Sequence, residues 1–143
     1  MLGSKNLADE RIAPLLDQLD IDYDTDSDGD YQAVLQLSGD RYQQVVISSS
    51  TKRIGGLEIR KIYSIGYKSA EPLGQKIANL LLGINHSSKL GAWQVMASDG
   101  EYFAAYNAQI SANTDAQTLL TVINAVVESA DSIEAYLTGR DVF

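Results

Sequence analysis

From Tyr31 to Tyr67 the apolar residues keep a period of two, and no stretch of helical period interrupts them. Tyr31, Ala33, Leu35 and Leu37 alternate with Gln32, Gln36 and Ser38, and Ser38-Gly39-Asp40 supplies a turn. A return arm, Arg41 to Ser49, is rich in Val45, Val46 and Ile47, and Thr51 to Gly56 reads as a polar loop ending in two glycines. A longer strand follows, with Leu57, Ile59, Tyr63, Ile65 and Tyr67 on one face and Glu58, Arg60 and Ser64 mostly on the other. Strands joined so closely pair antiparallel, because a parallel return needs a crossover of about a dozen residues or more. A mainly antiparallel sheet is therefore expected.

Helical period flanks and interrupts the strands. Ala8, Ile12, Leu15, Leu16 and Leu19 mark a first helix over Asn6 to Leu19, in which Pro14 makes a kink or marks the true first turn. After Pro72, residues Leu73, Ile77, Leu80, Leu81 and Ile84 form one stripe, and Gly83 stands where a C-terminal cap favours glycine. Two more strands, Leu90 to Ala97 and Glu101 to Ile110, flank Ser98-Asp99-Gly100, whose Asp-Gly pair suits a tight hairpin turn. The last helix opens with the capping-box pattern Thr114-Asp115-Ala116-Gln117 and runs to about Leu137, before Gly139. Its stripe of Leu119, Val122, Ile123, Val126, Val127, Ala130, Ile133 and Leu137 is continuous, so its whole length should pack. The expected class is α+β, an antiparallel sheet flanked by helices in the order α-β-β-β-α-β-β-α. A single domain over residues 1–143, without linker or repeat, is expected.

Composition narrows the function. With 45% hydrophobic and 21% charged residues, the chain has the balance of a globular domain. It has no cysteine, which excludes disulfides, thiolate zinc sites, iron–sulfur clusters and thiol catalysis, and favours a cytoplasmic setting. Met1 to Asn6 shows no export signal, and the run Leu80-Leu81-Leu82 falls far short of the ~20 residues of a membrane span. Residues 1–40 hold ten acids and two bases, whereas residues 41–143 hold nine of each, so the whole net charge of −8 lies in the N-terminal part. One negative face follows, which disfavours nucleic acid as a partner. The densest basic pairs, Lys52-Arg53 and Arg60-Lys61, are offset by acids.

Aspartate occupies positions 20, 22, 24, 26, 28 and 30. In an extended chain this spacing puts six carboxylates on one side, roughly 7 Å apart. Asp24-Thr25-Asp26-Ser27-Asp28-Gly29 also matches the opening D-x-D-x-D-G of a calcium loop, so Asp24, Asp26 and Asp28 are the candidate metal ligands. The twelfth position, where a bidentate glutamate belongs, is Leu35. The simpler reading is a solvated acidic loop joining helix to sheet, and docking of a basic partner is a further one.

His86 is the only histidine, so a hydrolytic triad would have to use it with Ser87 or Ser88. A histidine at a helix C-terminus more often caps carbonyls. Gly55-Gly56 and Gly83 match no phosphate-binding pattern, and no cofactor is expected. Tyr63, Tyr67, Tyr102 and Tyr106 recur at strand spacing and are explained as sheet residues, and Trp93 as core; a binding groove made by some of them is the alternative.

The stretch Ala78-Asn79-Leu80-Leu81-Leu82-Gly83-Ile84-Asn85-His86-Ser87-Ser88-Lys89-Leu90-Gly91-Ala92-Trp93, followed by Asp99-Gly100 and Tyr102-Phe103, resembles the YbjN family of bacterial proteins. That family is similar in fold to type III secretion chaperones, which are small, acidic, commonly dimeric α+β proteins that bind extended segments of client proteins. Its relatives are described as sensory-transduction regulators, so the resemblance implies no reaction and no catalytic residue. The expectation is a non-enzymatic, chaperone-like or regulatory homodimer that holds a protein segment. A divalent-cation sensor built on the acidic loop 20–30 is the alternative.

Overall fold

The computed structural model describes residues 7–138. Its elements are α1 (Ala13–Gln18), β1 (Asp24–Thr25), β2 (Tyr31–Gln36), β3 (Tyr42–Ile54), β4 (Leu57–Ser69), α2 (Gln75–Ser87), β5 (Gly91–Ser98), β6 (Glu101–Ser111) and α3 (Ala116–Thr138). All six strands form one antiparallel sheet in the order β1-β2-β3-β4-β6-β5. The α+β class and the expected order of elements hold, with the two-residue β1 added. Helix α2 carries the chain past the sheet edge, so β5 becomes the outer strand and its hairpin partner β6 returns to lie against β4.

Strand alternation divides the sheet into two faces. Ala33, Val45, Ile62 and Ala108 point to the side on which α1 supplies Ile12 and Leu16, α2 supplies Leu81, and α3 supplies Leu119, Ile123 and Val126. This closed face is lined by small residues where α3 crosses: Ala104 and Ala108 are fully buried, and a Cβ on Gly66 would stand 2.9 Å from the carbonyl oxygen of Ala130. Glycine at this position lets the α3 backbone approach the sheet. Among the described residues no helix lies on the opposite, open face.

Several local expectations change. Thr51 to Ile54 is strand, not loop, because it pairs with Leu57 to Arg60 across a turn of only Gly55 and Gly56, and Gly55 has φ +57°. The backbone ladder outweighs the polar composition of those residues. Helix α1 begins at Ala13 with Pro14 in its first turn, where the missing donor is harmless; Asn6 and Gly139 lie outside the described residues. Gly83 is interior to α2 and does not cap it. The helix continues because its next turn is useful: Asn85 accepts from the Trp93 amide at 2.6 Å and donates to the Trp93 carbonyl at 3.2 Å. This clasp occupies backbone groups on the outer edge of β5 and blunts an otherwise uncharged edge strand. At α3 the cap is Asp115, whose carboxylate accepts from the Thr118 amide at 2.7 Å.

Candidate functional site

The aspartates from 20 to 30 do not form one extended ladder. Asp20 adopts φ +58°, Asp24 lies on β1 opposite Gln32, and Asp26 to Asp30 form a tight turn closed by the Gly29 amide on the Asp26 carbonyl at 2.9 Å. Gly29 is required there, since it has φ +83° and its missing Cβ would meet the Leu7 backbone. The turn gathers carboxylate oxygens of Asp26, Asp28 and Asp30 within 4.8 Å of one another, and Asp24 is outside that group. Asp26 serves the loop itself: one oxygen accepts from the amides of Asp28 at 2.9 Å and Asp30 at 3.0 Å, and the other accepts from Gln32 Nε2 at 3.3 Å. Asp30 accepts from the Ser49 amide at 2.9 Å. Burial raises its pKa, and the charges of Asp26 and Asp28 push the same way. Leu35 lies on β2, remote in role from any ligand set.

On the other side of the same loop, the open face carries the apolar half of β4. The alternation in β4 places Ile59, Lys61, Tyr63 and Ile65 away from the helices, whereas Arg60, Ile62 and Ser64 are buried beneath them. Within β4 the row with more apolar side chains is thus the one away from the helices, the reverse of what burial by hydropathy suggests. Two hollows share Tyr63. One, of about 200 Å³, is lined by Val46, Tyr63, Ile65, Phe103 and the stem of Lys68. Lys68 Nζ stands 5.7 Å from the Phe103 ring centre and 3.6 Å from Glu101. The other, of about 480 Å³, is lined by Lys52 and Lys61 together with Ser48, Ser50, Gln109 and Asp30. Burial raises the Tyr63 pKa, as do the charges of Asp30 and Asp26, so its hydroxyl remains a donor at neutral pH. Asn107, opposite Tyr63 in the register, is buried, and its Oδ1 has no hydrogen-bond partner among the described residues.

Arg60 was legible only as part of a basic pair, yet its side chain is wholly buried. It donates to Asp9 at 2.6 Å and to the Ser48 carbonyl at 2.7 Å. Arg11 links Asp9 at 2.8 Å to Glu58 at 3.0 Å. These guanidiniums hold both carboxyls below their ordinary range, Glu58 at about 2. The cluster straps residues 9–11 across the helix-covered side of β4. The only sequence signal for it was an arginine in register with Ile62 and Ser64.

His86 is exposed in the last turn of α2, and the hydroxyls of Ser87 and Ser88 both donate to the Ile84 carbonyl, at 3.3 and 3.1 Å. Nothing there forms a nucleophile–base pair. Trp93 and Tyr106 stack edge to face in the core at 5.7 Å, whereas Tyr63 belongs to the open face. No family model matches the chain, and no curated protein matches it.

Proposed function

We propose that this protein acts by contact, without turnover, and holds an extended segment of a partner protein on its open sheet face. The observation that carries the reading is the uncovered apolar row Ile59, Tyr63 and Ile65, flanked by Phe103 and by lysines, on a sheet whose helices all pack behind it. Apolar side chains left on a regular surface and bordered by polar ones are what a docking site offers. The resemblance to the YbjN family, and through it to secretion chaperones, supports the same reading, as well as a homodimer in a cytoplasmic setting. No helix among the described residues is long and apolar enough to cross a membrane.

The test pairs a native pull-down with Ile65→Asp and Phe103→Asp. Loss of the captured partner in both variants, with circular dichroism unchanged, supports the open face; capture that both variants retain rejects it. Size-exclusion chromatography with light scattering decides the dimer, and a strict monomer removes that part.

A second reading, a divalent-cation sensor, is supported by the convergence of Asp26, Asp28 and Asp30 within 4.8 Å. Asp24, placed first by the sequence pattern, is not in that group, and Asp26 already serves three donors in the loop. A calcium titration by calorimetry tests it; binding no tighter than about millimolar leaves the loop as solvated charge.

A further inference from the structure

We propose that the hollow between Lys52 and Lys61 seats a carboxylate of the bound segment, so that the partner is recognised by an acidic residue set beside an apolar one. This rests on the open-face reading above and adds the chemistry of what that face selects.

Neither lysine has an ion pair among the described residues, although the chain as a whole has an excess of acids. Lys61 is half-buried, which makes an unpaired ammonium there costlier than at a free surface and makes a carboxylate the matching group. The two lysines come from neighbouring strands. Lys52 pairs with Ile59, so Lys61 is its diagonal neighbour on the same face, at a spacing of about 7–8 Å. Between Ile47 and Thr51 the β3–β4 register shifts, and this bulge places Ser48 and Ser50 against the hollow. Two cations, the hydroxyls of Ser48, Ser50, Thr51 and Tyr63 and one carboxylate, Asp30, thus line about 480 Å³, room for a side chain, so that the lysines exceed the acid by one charge, and Gln109 adds an amide.

Charge also decides what class of anion fits. Asp30 lines the same hollow, and Asp22 and Asp24 border the face along β1 and β2. A nucleic acid, which carries a charge at every nucleotide, meets this acidic border as soon as it leaves the lysines. A protein segment with one isolated carboxylate meets only Asp30, against two lysines. Beyond Tyr63 the hollow of about 200 Å³ offers the apolar side chains of Val46, Ile65 and Phe103 beside Gln43, Gln44 and Lys68. Lys61 and Ile65 are four residues apart in an extended strand, about 13 Å. A segment lying along β4 therefore presents its acid and its apolar residue about four positions apart.

The probe is a randomised dodecapeptide library displayed against the full chain, followed by fluorescence anisotropy of the enriched peptides. Enrichment of Asp or Glu at a fixed distance from an apolar residue is expected. Changing that peptide acid to its amide weakens binding about tenfold, Lys52→Gln with Lys61→Gln does the same, and the two losses do not add. The peptide-side change keeps the test decisive even if the lysine variants fold poorly. Peptides that lose affinity in Ile65→Asp yet are indifferent to their own acid overturn the carboxylate seat and leave the open-face reading standing. Enrichment no better than for an unrelated control protein overturns both. An oligo-dT 20-mer that binds more tightly than any peptide, through the same lysines, overturns the protein segment as the occupant.

Discussion

The two faces of this one sheet are built from the same strands and differ in what covers them. The closed face offers Gly66, Ala104 and Ala108 beneath α3, and the helix comes close enough for a Cβ on Gly66 to meet its backbone. The open face offers Tyr63, Ile65 and Phe103, which line two hollows. Hydropathy alone does not distinguish the two, since Arg60 is buried and Ile59 is not. The closed face accommodates Arg60 because the strap at Asp9 neutralises it and the carbonyls of Ser48 and Ala112 accept from its two terminal nitrogens, while Nε has no partner among the described residues.

If that contrast is right, variants on the closed face should destabilise the fold more than variants on the open face. The largest effect is expected for Asp9→Ala, which leaves the Arg60 guanidinium buried without its counter-charge and should cost about 3–5 kcal/mol in urea unfolding. A loss below about 1 kcal/mol would show that the strap is ornamental. Gly66→Ala comes next, at about 1–3 kcal/mol, because Trp93 can turn aside but the Ala130 carbonyl cannot; an unchanged midpoint would mean that α3 is not seated closely.

Acid should act on the closed face as well. Asp9 and Glu58 have folded-state values below their ordinary 3.8 and 4.5, so their contribution is present above those values and is lost as pH falls toward the lowered ones, about 2 for Glu58. Stability should therefore decline between about pH 4.5 and 2, and Arg11→Ala, which releases both carboxyls from a shared partner, should flatten that decline. An equally steep profile in the variant would place the acid sensitivity elsewhere. The smallest change in stability is expected for Ile65→Asp, about 1 kcal/mol because Ile65 is only partly exposed on an interior strand, although this variant should remove partner binding. Unfolding by several kcal/mol would mean that the open face is covered after all and would erase the contrast.

Much of the closed face could be read before folding. The stripe from Leu119 to Ile133 is buried along its length, and the Asp99-Gly100 hairpin stands where its turn residues put it, with Asp99 at φ +51° and Gly100 at +78°. The site was less legible. In β4 the expected single row Leu57, Ile59, Tyr63, Ile65 and Tyr67 is broken: Ile59, Tyr63 and Ile65 line the open face with the lysines, whereas the register shift after Ile65 turns Tyr67 to the core. The acidic run could be counted but not shaped: the turn at Asp26 to Asp30 swaps Asp24 for Asp30 in the group that converges. Asp9 and Arg60, 51 residues apart, left no local trace of their pairing.

The amino-acid order determined on its own the type and succession of the main elements, because period, proline, glycine and capping residues act over a few neighbours, whereas several boundaries, as at Thr51 to Ile54 and Gly83, were moved by the fold. It determined the antiparallel class for the same reason, since short connections admit no other pairing. Which face of the sheet the helices would cover was decided only in three dimensions. In β4 alternation by itself points the other way, and the outcome rests on the close seating of α3 at Gly66 and on a counter-charge brought to Arg60 from a distant segment.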